Sequence, residues 1–531
     1  MVIAIMKKIL SKIISSGIWI QPIIVYAAVK YLKENNPSAL EKKENWLIII
    51  LLSFVAVLFI WTSSIGHPNS EEAITGKDKA KHPTINKALL YKIPTGVVFG
   101  FDKRSHKYVC KDINEDGHVF LIGGSGSGKS SCHVIPTLIA NPNIATFAVD
   151  IKGELSYKAT RYGDEKVKIF NPNDRTQYGY NPLFALDKYE NAPQQEILET
   201  MKDISYSLIP KPADLKDPFW KDSARNLLTG LLIYFYKKGH KDFVDLIDQI
   251  RNTKFKDTIS EAMKEAGTGG AEYSYLNQFD GLPDETLGGI ILEITNHIDI
   301  FKDDQDIRYA FKYNPCKIDA TMLDQGYSIY LSIKEEKLSD YFDVMRLIIN
   351  QTLHHLEKRS ENADRILFII DELPRVLSQG KIDRLLDASR TLRSRNVTLF
   401  LITQTTEALM SAFTENEVAD LIGNCAYIIV LNASATKTQK SIISWVGKYR
   451  AKKQTWSGSG KDRKINVSYD DIDLLEAAEL RNLEKTGEAI LITPYGYCRV
   501  KKTPYYQDKN FRKTAEENIN YNNTIIEMGG K

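Results

Sequence analysis

The sequence predicts an α/β fold: a parallel sheet covered by helices on both faces, interrupted by an all-α insertion and preceded by two N-terminal transmembrane helices. Three observations predict it. Short apolar, β-rich runs recur with helical stretches between them, that rhythm stops between residues 191 and 311, and an uncharged apolar run lies near the N-terminus. At 531 residues the chain is longer than one ordinary core needs, so more than one structural unit is expected.

The β-rich runs are 118–122, 144–149, 167–170, 327–333, 366–370, 397–403 and 426–431. Continuous apolar runs, rather than alternating ones, are what strands buried on both faces require. Within 191–311 the helix-like segments 194–208 and 220–237 follow one another with no strand between. The expected organisation is therefore an anchor at 1–66, a polar linker at 67–93, sheet-domain halves at 94–190 and 312–507, the all-α domain at 191–311, and a polar tail at 508–531. The Gly/Ser/Lys stretch 450–464 and the Asn-rich tail read as mobile, the tail being either a docking peptide or a solvated end.

The anchor rests on composition. Residues 46–62 form an uncharged run of about 17 residues, extendable through Ile65, enough to cross a ~30 Å hydrocarbon layer. An earlier run, 13–29, carries Ser15, Ser16, Gln21 and Pro22, so it reads as a first span, a kinked one, or the apolar part of a signal peptide. Two spans are preferred, because a cleaved signal would put the nucleotide motif described next outside the cell. Lysines lie on both sides of the first run, so charge bias does not settle orientation. The need for cytosolic ATP places the N-terminus and the large C-terminal part in the cytoplasm.

With 70 Lys and Arg against 67 Asp and Glu, the net charge of +3 does not announce a nucleic-acid binder; any such contact must be local. The five cysteines are scattered with no CxxC pair, so neither a zinc site nor a disulfide framework is suggested.

The chemistry concentrates in one loop. Gly123, Gly124, Ser125, Gly126, Ser127, Gly128, Lys129 and Ser130 spell a full G-x4-G-K-S between a strand-like run and a helix-like one, with Ser131 following. Glycines let backbone N–H groups close around phosphates at the start of a helix. Lys129 would reach the β- and γ-phosphates of ATP, and Ser130 would ligate Mg2+. A buried strand ends in Asp371 and Glu372: the first suits Mg2+, the second an attacking water. Taken alone, that pair is also a common helix start. Gln404 leaves the next strand where it would feel the γ-phosphate. Before that strand, Arg390, Arg393 and Arg395 offer a cation to a neighbouring subunit's phosphate, or a solvated or DNA-facing basic turn.

In order and spacing these residues resemble the type IV secretion coupling proteins, the ATPases of conjugation. The likeness includes the paired apolar runs, GGSGSGKS, FAVDIKGEL from Phe147, NPL from Asn181, DPFWKDSARNLLTGLL from Asp217, IYLSI from Ile329, FIIDELPRV from Phe368 and RSRNVTLFLITQ from Arg393. The resemblance implies a RecA-like P-loop NTPase domain with an inserted all-α domain, assembled as a homo-hexamer on the bacterial plasma membrane. It implies that Lys129, Glu372, Gln404 and Arg393 are catalytic, with Arg393 acting in trans, and that Ser130 and Asp371 hold the metal. Its implied partners are single-stranded, relaxase-bound DNA, the relaxase and relaxosome proteins, and the type IV secretion channel. A septal or sporulation DNA translocase and a nucleotide-gated receptor with little turnover are the alternatives. The short loop at 30–45 departs from that of many Gram-negative relatives, and Asp150, Lys152 and Glu154 match a family motif to which the residues alone assign no role beyond bracing a turn.

Overall fold

In the computed structural model the described residues are 82–211, 217–457 and 464–529, together with Lys30. The runs read as membrane spans, 13–29 and 46–62, lie outside them. Among the described residues no helix is long and apolar enough to cross a membrane.

Among the described residues sixteen strands occur in chain order. Before the helical segment lie β1 (Leu90–Tyr91), β2 (Val97–Asp102), β3 (Lys107–Lys111), β4 (His118–Ile122), β5 (Ala145–Val149), β6 (Val167–Phe170) and β7 (Gly179–Tyr180). After it come β8 (Lys317–Ile318), β9 (Ser328–Leu331), β10 (Ile366–Ile370), β11 (Val397–Thr403), β12 (Cys425–Val430), β13 (Lys448–Ser457), β14 (Lys464–Asp473), β15 (Glu488–Thr493) and β16 (Gly496–Lys501). Twelve of them form one sheet in the order β1-β3-β2-β16-β15-β12-β4-β11-β10-β5-β9-β6.

From β12 to β6 every neighbouring pair is parallel, and these strands fall in the apolar runs read from the sequence. From β12 outward to β1 the pairs turn antiparallel, so the sheet is mixed rather than wholly parallel. The added strands escape a search for continuous apolar runs. β16 alternates buried with accessible residues, and β1 is two residues long inside the stretch read as linker, where the neighbouring Leu89 is also buried.

Alternation along the central strands sends side chains to two cores. Phe120, Ile122, Phe368, Ile370, Leu399 and Leu401 join one cluster, while Val119, Leu121, Leu367, Ile369, Phe400 and Ile402 join the other. Met201, Leu227, Leu231, Ile290 and Ile294, from helices Gln194–Leu208, Phe219–Lys237 and Asp284–Ile298, lie in the first of these clusters. Helical segment and sheet thus share one core and one compact unit, His82–Gly447 with Asp473–Lys531; residues Lys448–Ile472 belong to a second unit.

Two stretches read as mobile are ordered elements. Residues up to Ser457 form β13 and Lys464 opens β14, the two pairing as a separate sheet, while 458–463 lie outside the described residues. The tail is a helix, Lys509–Gly529. Its buried Phe511, Ala515, Asn518 and Asn522 recur at helical spacing, but two are amides, which hides the stripe from a hydrophobic reading. Asn522 earns its burial by accepting from Tyr162 N–H (2.6 Å) and donating to the carbonyls of Tyr157 (2.8 Å) and Thr160 (2.9 Å), at the end of helix Glu154–Ala159.

Candidate nucleotide-binding site

Parallel strands deliver their C-terminal ends to one edge of the sheet, and here those ends carry the predicted residues. Ile122 of β4 pairs with Thr403 of β11, and Ile370 of β10 with Leu401, so the glycine loop, Gln404 and the two acids leave three adjacent strands side by side. The Gly123 N–H donates to Thr403 O at 3.0 Å, fixing the loop's start. Gly126 and Gly128 take φ of 75° and 95°, the left-handed region where a Cβ is strained. A Cβ on Gly128 would also lie 2.7 Å from the Cys132 sulfur.

A pocket of about 240 Å³ opens beside the loop. Ser125, Gly126, Gly128, Lys129, Ser130 and Ser131 line it, facing Asp371, Glu372 and Gln404. Gly123, Gly124 and Ser127 do not line it; they frame the loop. Ser127 Oγ donates to Gly124 O at 2.8 Å, and Gly124 N–H to Asn432 Oδ1 at 2.6 Å. Lys129 Nζ donates to the carbonyls of Gly123 (3.0 Å) and Gly124 (3.1 Å).

Two contacts tie the loop to the acids and the acids to Gln404. Ser130 Oγ lies 3.1 Å from both oxygens of Asp371, and Gln404 Nε2 donates to Glu372 Oε1 at 2.6 Å. Burial, with the nearby charges of Asp150 and Glu372, pushes the Asp371 carboxyl up to about 7, against the opposing pull of the Ser130 hydroxyl and Lys129. Burial also lowers Lys129, opposed by Glu372 and Asp371. A carboxyl this destabilised as an anion, paired with a hydroxyl, is a hard-oxygen donor set that suits Mg2+, an ion that takes few protein ligands and keeps water and phosphate oxygens. Among the described residues no cluster of three or more His, Cys, Asp or Glu could hold a metal ion, at this site or any other.

Arg393 is not in this pocket. It is exposed on the turn Leu392–Arg395, before β11, whereas Gln404 follows the C-terminal end of the same strand. Seven strand residues separate those ends by roughly 20 Å. Its neighbours keep to other partners: Arg390 pairs with Asp420 and Asp387, and Arg395 with Glu361.

A sequence-profile comparison now bears on the family. The profile described as type IV secretory system conjugative DNA transfer matches residues 68–527. The chain belongs to this family.

The protein VirD4 of Agrobacterium fabrum is 23% identical over 419 residues, covering 76% of this chain and 60% of VirD4. The conjugal transfer protein TraG of Rhizobium radiobacter is 22% identical over 311 residues, covering 56% of this chain and 47% of TraG. The chain thus spans about 60% of the length of VirD4. The conjugative coupling protein TrwB, solved unbound without its first segment, superposes with a TM-score of 0.60 at 17% identity, over 80% of this chain and 91% of that one. TrwB in complex with ADP and Mg2+ gives 0.57, over 73% and 85%. At such identity the likeness establishes the fold alone.

Several site residues escape a motif reading. Asn432, at the exit of β12, holds the loop through Gly124, and Lys502 reaches Ser127 O at 3.5 Å. A polar residue closing an apolar strand was the available signal for Asn432; nothing in sequence points to Lys502. The motif without a derived role divides its work. Asp150 is buried and accepts from Leu155 N–H (3.1 Å), Ser156 N–H (2.8 Å) and Ser156 Oγ (2.9 Å), bracing the turn, while Lys152 and Glu154 line the pocket.

Proposed function

We propose that this chain is a membrane-anchored ATPase that couples single-stranded, relaxase-bound DNA to a type IV secretion channel and drives its transfer by ATP hydrolysis. The observation carrying this is the convergence of Ser130 on Asp371 and of Gln404 on Glu372 beside the glycine loop. TraG, a conjugal transfer protein, and TrwB, a conjugative coupling protein, lend it context, and TrwB has been solved with ADP and Mg2+.

In this reading the backbone amides of 125–131 and Lys129 bind the phosphates, while the N–H groups of Gly123 and Gly124 stay on Thr403 and Asn432. Ser130 and Asp371 hold Mg2+, which supplies charge neutralisation at the β- and γ-phosphate oxygens when bound. Glu372 orients the attacking water and takes its proton on the carboxylate oxygen that Gln404 leaves free, and Gln404 keeps the carboxylate turned toward the phosphate end. Arg393, exposed at the opposite end of β11, serves the site of a neighbouring subunit in a homo-hexamer. Residues 94–190 and 312–507 form the RecA-like motor domain, 191–311 the all-α domain that meets relaxase and relaxosome proteins, and 1–66 the plasma-membrane anchor. DNA phosphates are bound without strong sequence choice, so affinity falls with salt.

The test is Mg2+-dependent ATP hydrolysis and conjugative transfer by the full chain. Lys129→Ala is expected to abolish both. Transfer that persists in Lys129→Ala, or in a Glu372→Gln chain that binds but does not hydrolyse ATP, would leave a receptor in place of a motor.

A further inference from the structure

The pocket holds a cation that the proposed mechanism does not use. Arg375 lines it together with Lys129, Ser130, Glu372 and Gln404. Its backbone N–H donates to Glu372 O at 3.0 Å, so guanidinium and carboxylate spring from the same turn, Leu373–Val376. The guanidinium is bonded to Glu335, which opens the turn Glu335–Lys337 a few residues beyond β9. The side chains are 39% and 54% exposed, and exposed pairs of this kind exchange partners easily. Hydrogen bonding and charge from Arg375, with a further contribution from Lys152, hold the Glu335 carboxyl below its ordinary range, so the partner is an anion.

We propose, resting on the nucleotide reading above, that Arg375 contacts the terminal phosphate of a bound nucleoside triphosphate within its own subunit, and that Glu335 holds the guanidinium in reserve until that phosphate arrives. An arginine fork donates to phosphate oxygens as readily as to a carboxylate, and a terminal phosphate carries more charge than Glu335. The terminal phosphate is the one that must lie nearest Glu372 and Gln404, hence nearest the turn that bears Arg375. A diphosphate lacks it, and leaves the Arg375–Glu335 pair in place. Arg375 therefore distinguishes tri- from diphosphate, and Glu335 competes with the triphosphate alone.

The experiment is titration of the full chain with ADP and with a non-hydrolysable ATP analogue, both in Mg2+. Arg375→Ala is expected to weaken the analogue about tenfold while ADP stays within about twofold. Glu335→Gln should tighten the analogue several-fold without changing ADP, and the double variant should follow Arg375→Ala. Equal weakening of both nucleotides in Arg375→Ala, or an unchanged analogue affinity in Glu335→Gln, would overturn the proposal. Lys129→Ala separates the two levels of the argument. If the wild type binds neither nucleotide, the nucleotide site itself fails; if it binds both and Lys129→Ala loses both, a failure of the Arg375 arms counts against this inference alone. Unfolding midpoints equal to wild type, expected because both side chains are more than a third accessible, exclude misfolding.

Discussion

Replacing Asp371 by Asn removes a carboxylate that the nucleotide-free site struggles to ionise. Its carboxyl is raised from 3.8 to about 7, chiefly by burial and then by the charge of Asp150. Because the folded value lies above the unfolded one, stability from this group is complete below about pH 3.8 and is lost as pH rises through about 7. At about 1.4 kcal/mol per pH unit, the wild type stands to lose up to ~3 kcal/mol between pH 5 and 8 through this group. The pocket mouth leaves Asp371 partly accessible, so ~1–3 kcal/mol is the working range. An amide does not titrate, so Asp371→Asn should lack that slope. The assay is urea unfolding of nucleotide-free protein in EDTA at pH 5, 6, 7 and 8, read as the difference between wild type and variant. The difference should move in favour of the variant as pH rises; parallel profiles would refute the claim that Asp371 sits in a pocket hostile to its own charge.

Gly128→Ala forces a Cβ into φ of 95° and within 2.7 Å of the Cys132 sulfur, so it should cost ~1–3 kcal/mol in chemical unfolding and lower nucleotide affinity at least about tenfold. Asn522→Leu strands the Tyr162 N–H and two carbonyls, and should destabilise the tail by ~1–3 kcal/mol, seen as faster hydrogen exchange across 509–529 with little change in β4 or β10. Mixing Arg393→Ala chains with Lys129→Ala chains should restore part of the ATPase lost by each, because a mixed ring contains sites with an intact loop and an intact neighbouring arginine; absence of rescue at every ratio tells against action in trans.

Much of the fold was legible because parallel strands, buried on both faces, advertise themselves as unbroken apolar runs such as Ile366–Ile370 and Val397–Thr403. The antiparallel half was not, since strands such as Gly496–Lys501 mix buried and accessible positions over few residues. The tail was misread for a related reason. Asn518 and Asn522 are buried by hydrogen bonding to backbone that only the fold brings near, and composition reports such residues as solvated. At the site, loop and acids were readable because each is contiguous in sequence, with Lys129 and Ser130 fixed by neighbouring glycines and Asp371 by its strand. Asn432 leaves a separate strand, so its nearness to the loop is a property of strand order rather than of local pattern; Arg375 shares a turn with Glu372, but its partner Glu335 comes from another strand exit.

The most direct measurement is a structure of the full chain with Mg2+ and a non-hydrolysable ATP analogue. Triphosphate oxygens are expected on the amides of 125–131 and Lys129, the metal on Ser130 with Asp371 beside it, and Glu372 facing the terminal phosphate. A nucleotide bound elsewhere, or phosphates seated with Asp371 and Glu372 turned away from them, would contradict it.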